Sequence, residues 1–173
     1  ILTRNKLRGL SEFLDNLLKW ASTQLMGLKP SVKTIDASQL IEETIDLLQS
    51  SISDKDLAIQ NDFQKGTFIQ ADYAMIQTVI RNVLSNAVKF TPAGKQIKIA
   101  YERKEETHII TVEDEGIGLP GDADIFGLGK TYSNGTEDES GTGLGLALAK
   151  EFLEKHNGKI WVEPKEQGTK VLF

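Results

Sequence analysis

Apolar residues in the segment 3–27 recur at steps of three and four: Leu7, Leu10, Leu14, Leu17, Leu18, Ala21 and Leu25. That spacing puts them on one stripe of a long helix. No capping residue precedes the pattern, so the helix is expected to continue upstream. A stripe this large asks for a partner helix, although packing in the core of the same domain would also cover it. Gly27 and Pro30 then separate it from the rest of the chain.

Beyond Pro30 the pattern changes. Residues 32–35 (VKTI) read as a short strand. Asp36 followed by Gln39 resembles a capping box, and Leu40, Ile41, Ile45, Leu47 and Leu48 give the next helix its buried face. LAIQNDF (57–63) and TFIQA (67–71) alternate as strands on either side of Lys65-Gly66. Asp72 caps a third helix, turning Ile76, Val79, Ile80, Val83, Leu84 and Ala87 inward and stopping at Thr91-Pro92-Ala93-Gly94. Strands come next at about 96–103 and 107–113, joined by a charged turn at Lys104–Glu106. A helix over 143–156 ends at Asn157-Gly158, and strands at 159–163 and 169–173 flank Gly168. Helices and strands mix without strict βαβ alternation. The expected fold is α/β in the sense of an α+β sandwich: a mixed, mostly antiparallel sheet with about three helices on one face, preceded by the long N-terminal helix.

One stretch resists that pattern. From Asp114 to Leu146 there is little apolar periodicity, and Gly, Asp, Ser and Thr dominate. A loop of that length inside a compact domain is a lid, a binding loop or a disordered segment. Both its ends are glycine-rich: DEGIGLP (114–120) follows a strand, and GTGLGLALAK (141–150) opens a helix. Glycine lets the backbone approach a flat ligand, and Asp114 is placed to accept a hydrogen bond from an exocyclic amine. A helix N-terminus presents unpaired N–H groups and a positive dipole end, which suit phosphate. Purine at one end and phosphate at the other would make a nucleotide pocket under a lid. The plainer alternative is two glycine-rich loops that merely turn the chain.

Composition narrows the partners. The chain has 173 residues, a net charge of −5 and no cysteine. It is long enough for one domain plus a short extra element. The acidic balance, without a basic run, argues against nucleic acid, and disulfides and thiolate metal sites are excluded. No apolar run approaches the roughly 20 residues that span a bilayer, so no membrane contact by this segment is expected. The start at Ile1 and the strand-like end at Phe173 lead us to expect a segment of a longer polypeptide. The expected location is the cytoplasm, either free or as the cytoplasmic part of a membrane-anchored protein, with which the absence of cysteine is compatible. An acidic protein that binds a polyphosphate must find positive charge in a metal ion, a few lysines or helix ends.

The third helix contains NVLSNAVKFT (82–91), where Asn82, Asn86 and Lys89 fall within roughly 60° of one another. Asparagine is a mediocre helix former, so two at this spacing invite explanation. A carboxamide oxygen suits Mg²⁺, and a lysine one turn on reaches phosphate as a point charge. A solvated polar flank would account for the same residues. NxxxNAxKF on a helix, DxGxG after a strand, GTGLGL opening a helix, and Gly168-Thr169 before the last strand stand here in that order. Together they resemble the catalytic and ATP-binding domain of sensor histidine kinases, within the superfamily of gyrase, heat-shock chaperone, histidine kinase and mismatch-repair ATPases. The likeness covers about residues 33–173. Residues 1–28 resemble the C-terminal part of the dimerisation and phosphoacceptor helical hairpin, leaving 29–173 as the ATP-binding catalytic domain with a lid at about 119–141.

The resemblance implies roles for particular residues. Asn86 would be the Mg²⁺ ligand, with Asn82 one turn earlier and Lys89 on phosphate. Phe90 would line the nucleotide pocket. Asp114 would bind the adenine amino group, with Gly116, Ile117 and Gly118 giving close approach. Phe126 would be the lid aromatic. Gly141, Thr142, Gly143, Leu144 and Gly145 would wrap the phosphates, and Thr169 would sit near the adenine. Family lids carry a basic residue after the aromatic one, and Lys130 is the candidate here for the γ-phosphate. The phosphorylated histidine of the family is expected on a helix upstream of Ile1. His108, mid-strand, and His156, beside Asn157-Gly158, read as structural or exposed.

Other motifs fall away. GLGKT (127–131) has Asp124 where a P-loop needs its first glycine. GTGLG lacks the spacing and preceding strand of a dinucleotide fingerprint. The resemblance implies an ATP- and Mg²⁺-dependent protein-histidine kinase. It would be a homodimer in the full-length protein, with its own phosphoacceptor domain and a response-regulator receiver domain as partners. Hydrolases of the superfamily place a Glu where this chain has Asn82, and a carboxamide accepts no proton near neutral pH. The alternatives are a degenerate module that binds ATP or a partner without transfer, and an ATPase.

Overall fold

The structure, a computed structural model, describes residues 29–119, 125–127, 136 and 143–173, together with Leu14, Leu17, Leu18 and Ala21. Those four are helical, with the three leucines exposed. The remaining residues of the long N-terminal pattern lie outside the described residues.

The elements run in the order β1 (Lys33–Asp36), α1 (Ala37–Asp54), β2 (Ala58–Asn61), β3 (Phe68–Ala71), α2 (Tyr73–Phe90), β4 (Gln96–Lys104), β5 (Thr107–Asp114), α3 (Gly145–Lys155), β6 (Trp161–Pro164) and β7 (Thr169–Leu172). Two of the helix starts carry the expected carboxylate caps. Asp36 Oδ1 accepts from the Ser38 and Gln39 N–H groups, and Asp72 Oδ1 from Met75 N–H. The capping box at Asp36 is only half made, because the Gln39 side chain donates to Glu43 instead. At the far end of α3, Asn157 takes φ +58°, and the N–H groups of Asn157 and Gly158 return to Glu154 and Leu153 carbonyls. That is a Schellman ending with Asn in the left-handed position.

Strands β2-β4-β5-β7-β6 form a five-stranded sheet, with β2 parallel to β4 and the other neighbours antiparallel. Strands β1 and β3 pair apart from it as a two-stranded sheet. Along β4 and β5 the buried positions alternate: Ile97 and Ile99, then Ile110, Val112 and Asp114. These face the helices, while Lys98, Glu102 and Glu113 face away. Helix α2 lies between α1 and α3 and also touches β5. Its Val79, Ile80 and Val83 are among the most deeply buried side chains. The inward face of α1 differs from the expected one in one respect: Leu47 is 59% exposed, and Thr44 and Ile52 are buried in its place.

Both histidines serve the fold. His156 Nδ1 donates to the Phe152 carbonyl while its Nε2 accepts from Asp72 N–H, fastening the end of α3 to the start of α2. His108 stacks on Tyr101, with its Nδ1 2.7 Å from the phenol oxygen.

Candidate functional site

Asp114 ends β5 between two neighbours, opposite Ile97 of β4 and Thr169 of β7. It is 5% exposed. Its Oδ1 accepts from Gly116 N–H at 2.8 Å and Thr169 N–H at 3.2 Å. No hydrogen bond among the described residues reaches Oδ2. A buried acceptor left in that state is uncommon and marks a place for a donor from outside. Burial pushes the Asp114 pKa up to about 6. The two N–H groups and the Lys165 ammonium work against that rise, and the Glu113 carboxylate adds to it. Lys165 is drawn close by an ion pair with Glu113 at 2.6 Å. Neither residue stood out in the sequence, since Glu113 on β5 and Lys165 in the turn after β6 are 52 residues apart and isolated charges carry no signal of pairing.

The turn after Asp114 folds onto the end of α2. Ile117 N–H donates to the Phe90 carbonyl at 3.1 Å. A Cβ on Gly116 would sit 2.5 Å from Asp114 Oδ1 and 2.7 Å from the Phe90 carbonyl, so only glycine fits there. Gly168 has φ +83°, and a Cβ on it would overlap the Asp114 carbonyl. The glycine before Thr169 therefore allows β7 to close against Asp114.

Two turns earlier, α2 meets α3. Asn82 is buried, and its Nδ2 donates to the Gly145 carbonyl at 2.9 Å. A Cβ on Gly145 would lie 3.3 Å from Asn82 Cγ and Oδ1. Asn82 thus acts as a positioning residue for the start of α3. No side chain caps that helix at Leu144, and its first-turn N–H groups have no helical acceptors. Between these contacts Asn86, Lys89 and Phe90 are half-buried. The Asn86 carboxamide makes no hydrogen bond among the described residues. The Lys89 ammonium lies 4.8 Å from the centroid of the Phe90 ring.

Helix α2 is therefore a common wall, with the Asp114 turn at its end and the start of α3 against Asn82. Eight residues of helix separate Asn82 from Phe90, about 12 Å along the axis. Asp114, Gly116, Ile117, Thr169 and Phe90 gather at one end, and Asn82, Leu144 and Gly145 at the other. Gly118 and Gly143 continue those two ends along the chain. Within the expected lid, Phe126 is partly buried and packs on the core beside Ile125. Lys130, Gly141 and Thr142 lie outside the described residues. No group of three His, Cys, Asp or Glu among the described residues could hold a metal. A cation here would have to be shared between Asn86, water and a ligand's own oxygens.

Known proteins resemble this chain in sequence and in fold. The family described as histidine kinase-, DNA gyrase B- and HSP90-like ATPase matches residues 71–173. The chain is 29% identical over 175 residues to the adaptive-response sensory kinase SasA of Synechocystis, covering 98% of this chain and 45% of that protein. It is 27% identical over 180 residues to the sensor histidine kinase WalK of Bacillus subtilis, covering all of this chain and 29% of that one. The chain thus spans less than half the length of these curated relatives. Among solved structures, the catalytic domain of histidine kinase ThkA superposes with a TM-score of 0.73 at 26% identity, covering 83% of this chain and 93% of that domain. The Acinetobacter baumannii histidine kinase AdeS gives 0.79 at 21% identity, with 97% and 78% covered, a likeness of fold. With more than half of its residues matched by the family, the chain belongs to the histidine kinase-, DNA gyrase B- and HSP90-like ATPases, as a catalytic ATP-binding domain of the sensor histidine kinase type.

Proposed function

We propose that residues 29–173 bind Mg²⁺-ATP and deliver its γ-phosphoryl group to a histidine elsewhere in the parent protein. Residues 1–28 are the last part of the helical hairpin that would carry that histidine and form the homodimer. The observation that carries this reading is the pairing of two unsatisfied groups on one wall. Asp114 Oδ2 is buried with no described partner, and the Asn86 carboxamide is equally free, a few residues before the Phe90 carbonyl that braces the Asp114 turn.

An adenine amino group would donate to Asp114 Oδ2, with Thr169, Ile117 and Phe90 around the ring. The triphosphate would run along α2 toward the start of α3, which no side chain caps, and Gly141, Thr142, Gly143, Leu144 and Gly145 would supply backbone N–H groups there. Asn86 and Lys89 lie along that path, and Phe126 and Lys130 are the lid residues that the sequence resemblance assigns to it. When bound, Mg²⁺ would neutralise charge on the phosphate oxygens. In transfer, the bond from the γ-phosphorus to its bridging oxygen breaks and ADP leaves with the electron pair. A P–N bond forms at the imidazole, whose proton goes to a base on the phosphoacceptor domain. Asn82 cannot be that base, because its carboxamide accepts no proton near neutral pH and its Nδ2 donates to Gly145.

A receiver-domain aspartate of a response regulator would take the phosphoryl group next. The related kinase ThkA is known in complex with the response regulator protein TrrA. The same reading puts this segment in the cytoplasm, where ATP is at hand. No described helix is long and apolar enough to cross a membrane.

Incubating the parent kinase, with its upstream helix, with γ-labelled ATP tests the reading. Acid-labile, base-stable label on the protein is the expected result. Free phosphate would mark an ATPase, and no turnover a binding module. By calorimetry, Asn86→Ala should weaken Mg²⁺-dependent ATP binding roughly tenfold or more while leaving the melting temperature unchanged. Equal affinity in the variant would remove Asn86 from the site.

A further inference from the structure

Lys55 follows α1 in the charged run Ser53-Asp54-Lys55-Asp56, where a solvated side chain is the ordinary expectation. It is 2% exposed instead. A buried ammonium is costly unless its donors are met. Here Nζ donates to the Val88 carbonyl at 3.1 Å, the Lys89 carbonyl at 2.9 Å and the Thr136 hydroxyl at 2.8 Å. The cation also sits at the negative end of the α2 dipole.

A helix leaves its last four carbonyls without internal partners. In α2 all four are taken. Thr91 N–H and its hydroxyl bind the Ala87 carbonyl, Lys55 binds those of Val88 and Lys89, and Ile117 N–H binds that of Phe90. The Lys55 carbonyl in turn accepts from Gly94 N–H at 2.9 Å, which ties it to the turn after α2. Thr136, far along the chain, returns to the same place, and its N–H donates to the Lys89 carbonyl at 3.2 Å.

We propose that Lys55 is a positioning residue of the nucleotide site, fixing the last turn of α2, which bears Lys89 and Phe90, against Thr136 of the loop that begins at Asp114. The proposal rests on the nucleotide-binding reading above. The same turn of α2 presents the Phe90 carbonyl to Ile117 N–H and so braces the Asp114 turn, so Lys55 acts on the adenine end directly and on the phosphates through Lys89.

Three chains decide it: wild type, Lys55→Met and Thr136→Val. Calorimetry with Mg²⁺-ATP and with adenosine is paired with amide hydrogen exchange at Thr136 and Gly94. In Lys55→Met the Kd for Mg²⁺-ATP and the Kd for adenosine should each rise about tenfold, as for a displaced wall of the adenine end. Thr136 N–H should exchange about tenfold faster while Gly94 N–H, bonded to the Lys55 backbone, is unchanged. Thr136→Val removes one acceptor without removing the cation and should shift both readouts the same way by about threefold, even if Lys55→Met fails to fold. Adenosine and Mg²⁺-ATP affinities within about twofold of wild type, or unchanged Thr136 exchange in both variants, would overturn the proposal. A wild type that binds no Mg²⁺-ATP would sink the nucleotide reading instead, and Thr136 exchange would still decide the role of Lys55.

Discussion

At the Asp114 end of the cleft nearly every contact is backbone. Strands β4 and β7 pair on either side, the Phe90 carbonyl stands in front, and Gly116 and Gly168 leave no room for a Cβ. At the Asn86 end, one side-chain hydrogen bond joins Asn82 to Gly145, α3 starts without a side-chain cap, and the Asn86 carboxamide has no described partner. On the proposed reading, the difference divides two tasks. Discriminating a base needs an acceptor that cannot move, and the end of the central strand β5 would provide it at the cost of a buried carboxylate. Gripping phosphate needs donors and a metal ligand that the ligand itself completes, which is the part the open Asn86 carboxamide would play.

The rigid half is broken most severely at Gly168. Alanine there would meet the Asp114 carbonyl and adopt a left-handed φ as well, so the Asp114–Thr169 pairing must open. Gly168→Ala should cost on the order of 3–5 kcal/mol, lowering the calorimetric melting temperature by roughly 10 °C for a chain of this size. A melting temperature within a degree of wild type would mean that the β5–β7 pairing yields, and the contrast between the two ends would lose its rigid half.

Asp114→Asn sharpens the same contrast in the opposite direction. The folded-state pKa of Asp114 is raised from 3.8 to about 6, so the fold favours the protonated form. Its contribution to stability is present below pH 3.8, is lost as pH rises toward 6, and above that the ionised group costs on the order of 3 kcal/mol. Asparagine keeps an oxygen for Gly116 and Thr169 N–H and removes the charge. The variant should therefore melt several degrees higher than wild type at pH 7.5, with the gain shrinking below pH 6 and gone near pH 4. ATP affinity should fall, because an N–H₂ now faces the purine amine. Wild-type affinity should itself decline as pH drops through about 6. A stability gain that ignores pH would mean that burial does not set this carboxyl's charge.

The parts legible in the sequence are those where local pattern and tertiary demand agree. Asp36 and Asp72 cap where expected, the inward face of α2 is the predicted one, and the glycines at 116 and 168 mark the places where backbone presses on backbone. Leu47 shows where the pattern misleads. It lies two turns after Leu40, yet the covered line follows the four-residue row Leu40, Thr44, Leu48 and Ile52, which slants across the helix axis and leaves Leu47 outside. Lys55 was illegible for a different reason. Its acceptors lie 33, 34 and 81 residues away, and a lysine among aspartates looks the same whether solvated or capping a distant helix. The pairing of β1 with β3 apart from the main sheet is likewise decided by distant strands, not by the pattern within each.

The smallest expected effect concerns the strap between α2 and α3. A Cβ on Gly145 would be tight against Asn82, at 3.3 Å from both Cγ and Oδ1. Gly145→Ala alone gains up to about 1 kcal/mol of helix propensity and loses much of it to that contact, so its urea midpoint should barely move. Asn82→Ala forfeits the hydrogen bond to the Gly145 carbonyl and some packing, about 1–2 kcal/mol. In the double variant the smaller residue at 82 makes room for the new methyl group, and the pair should be more stable than the two single effects predict by about 0.5–1 kcal/mol. Strict additivity would mean that α3 is seated by its apolar face, by Leu148, Ala149 and Phe152, with the Asn82 amide incidental. The phosphate end would then be as firmly built as the purine end, and the contrast between them would fail at its open side.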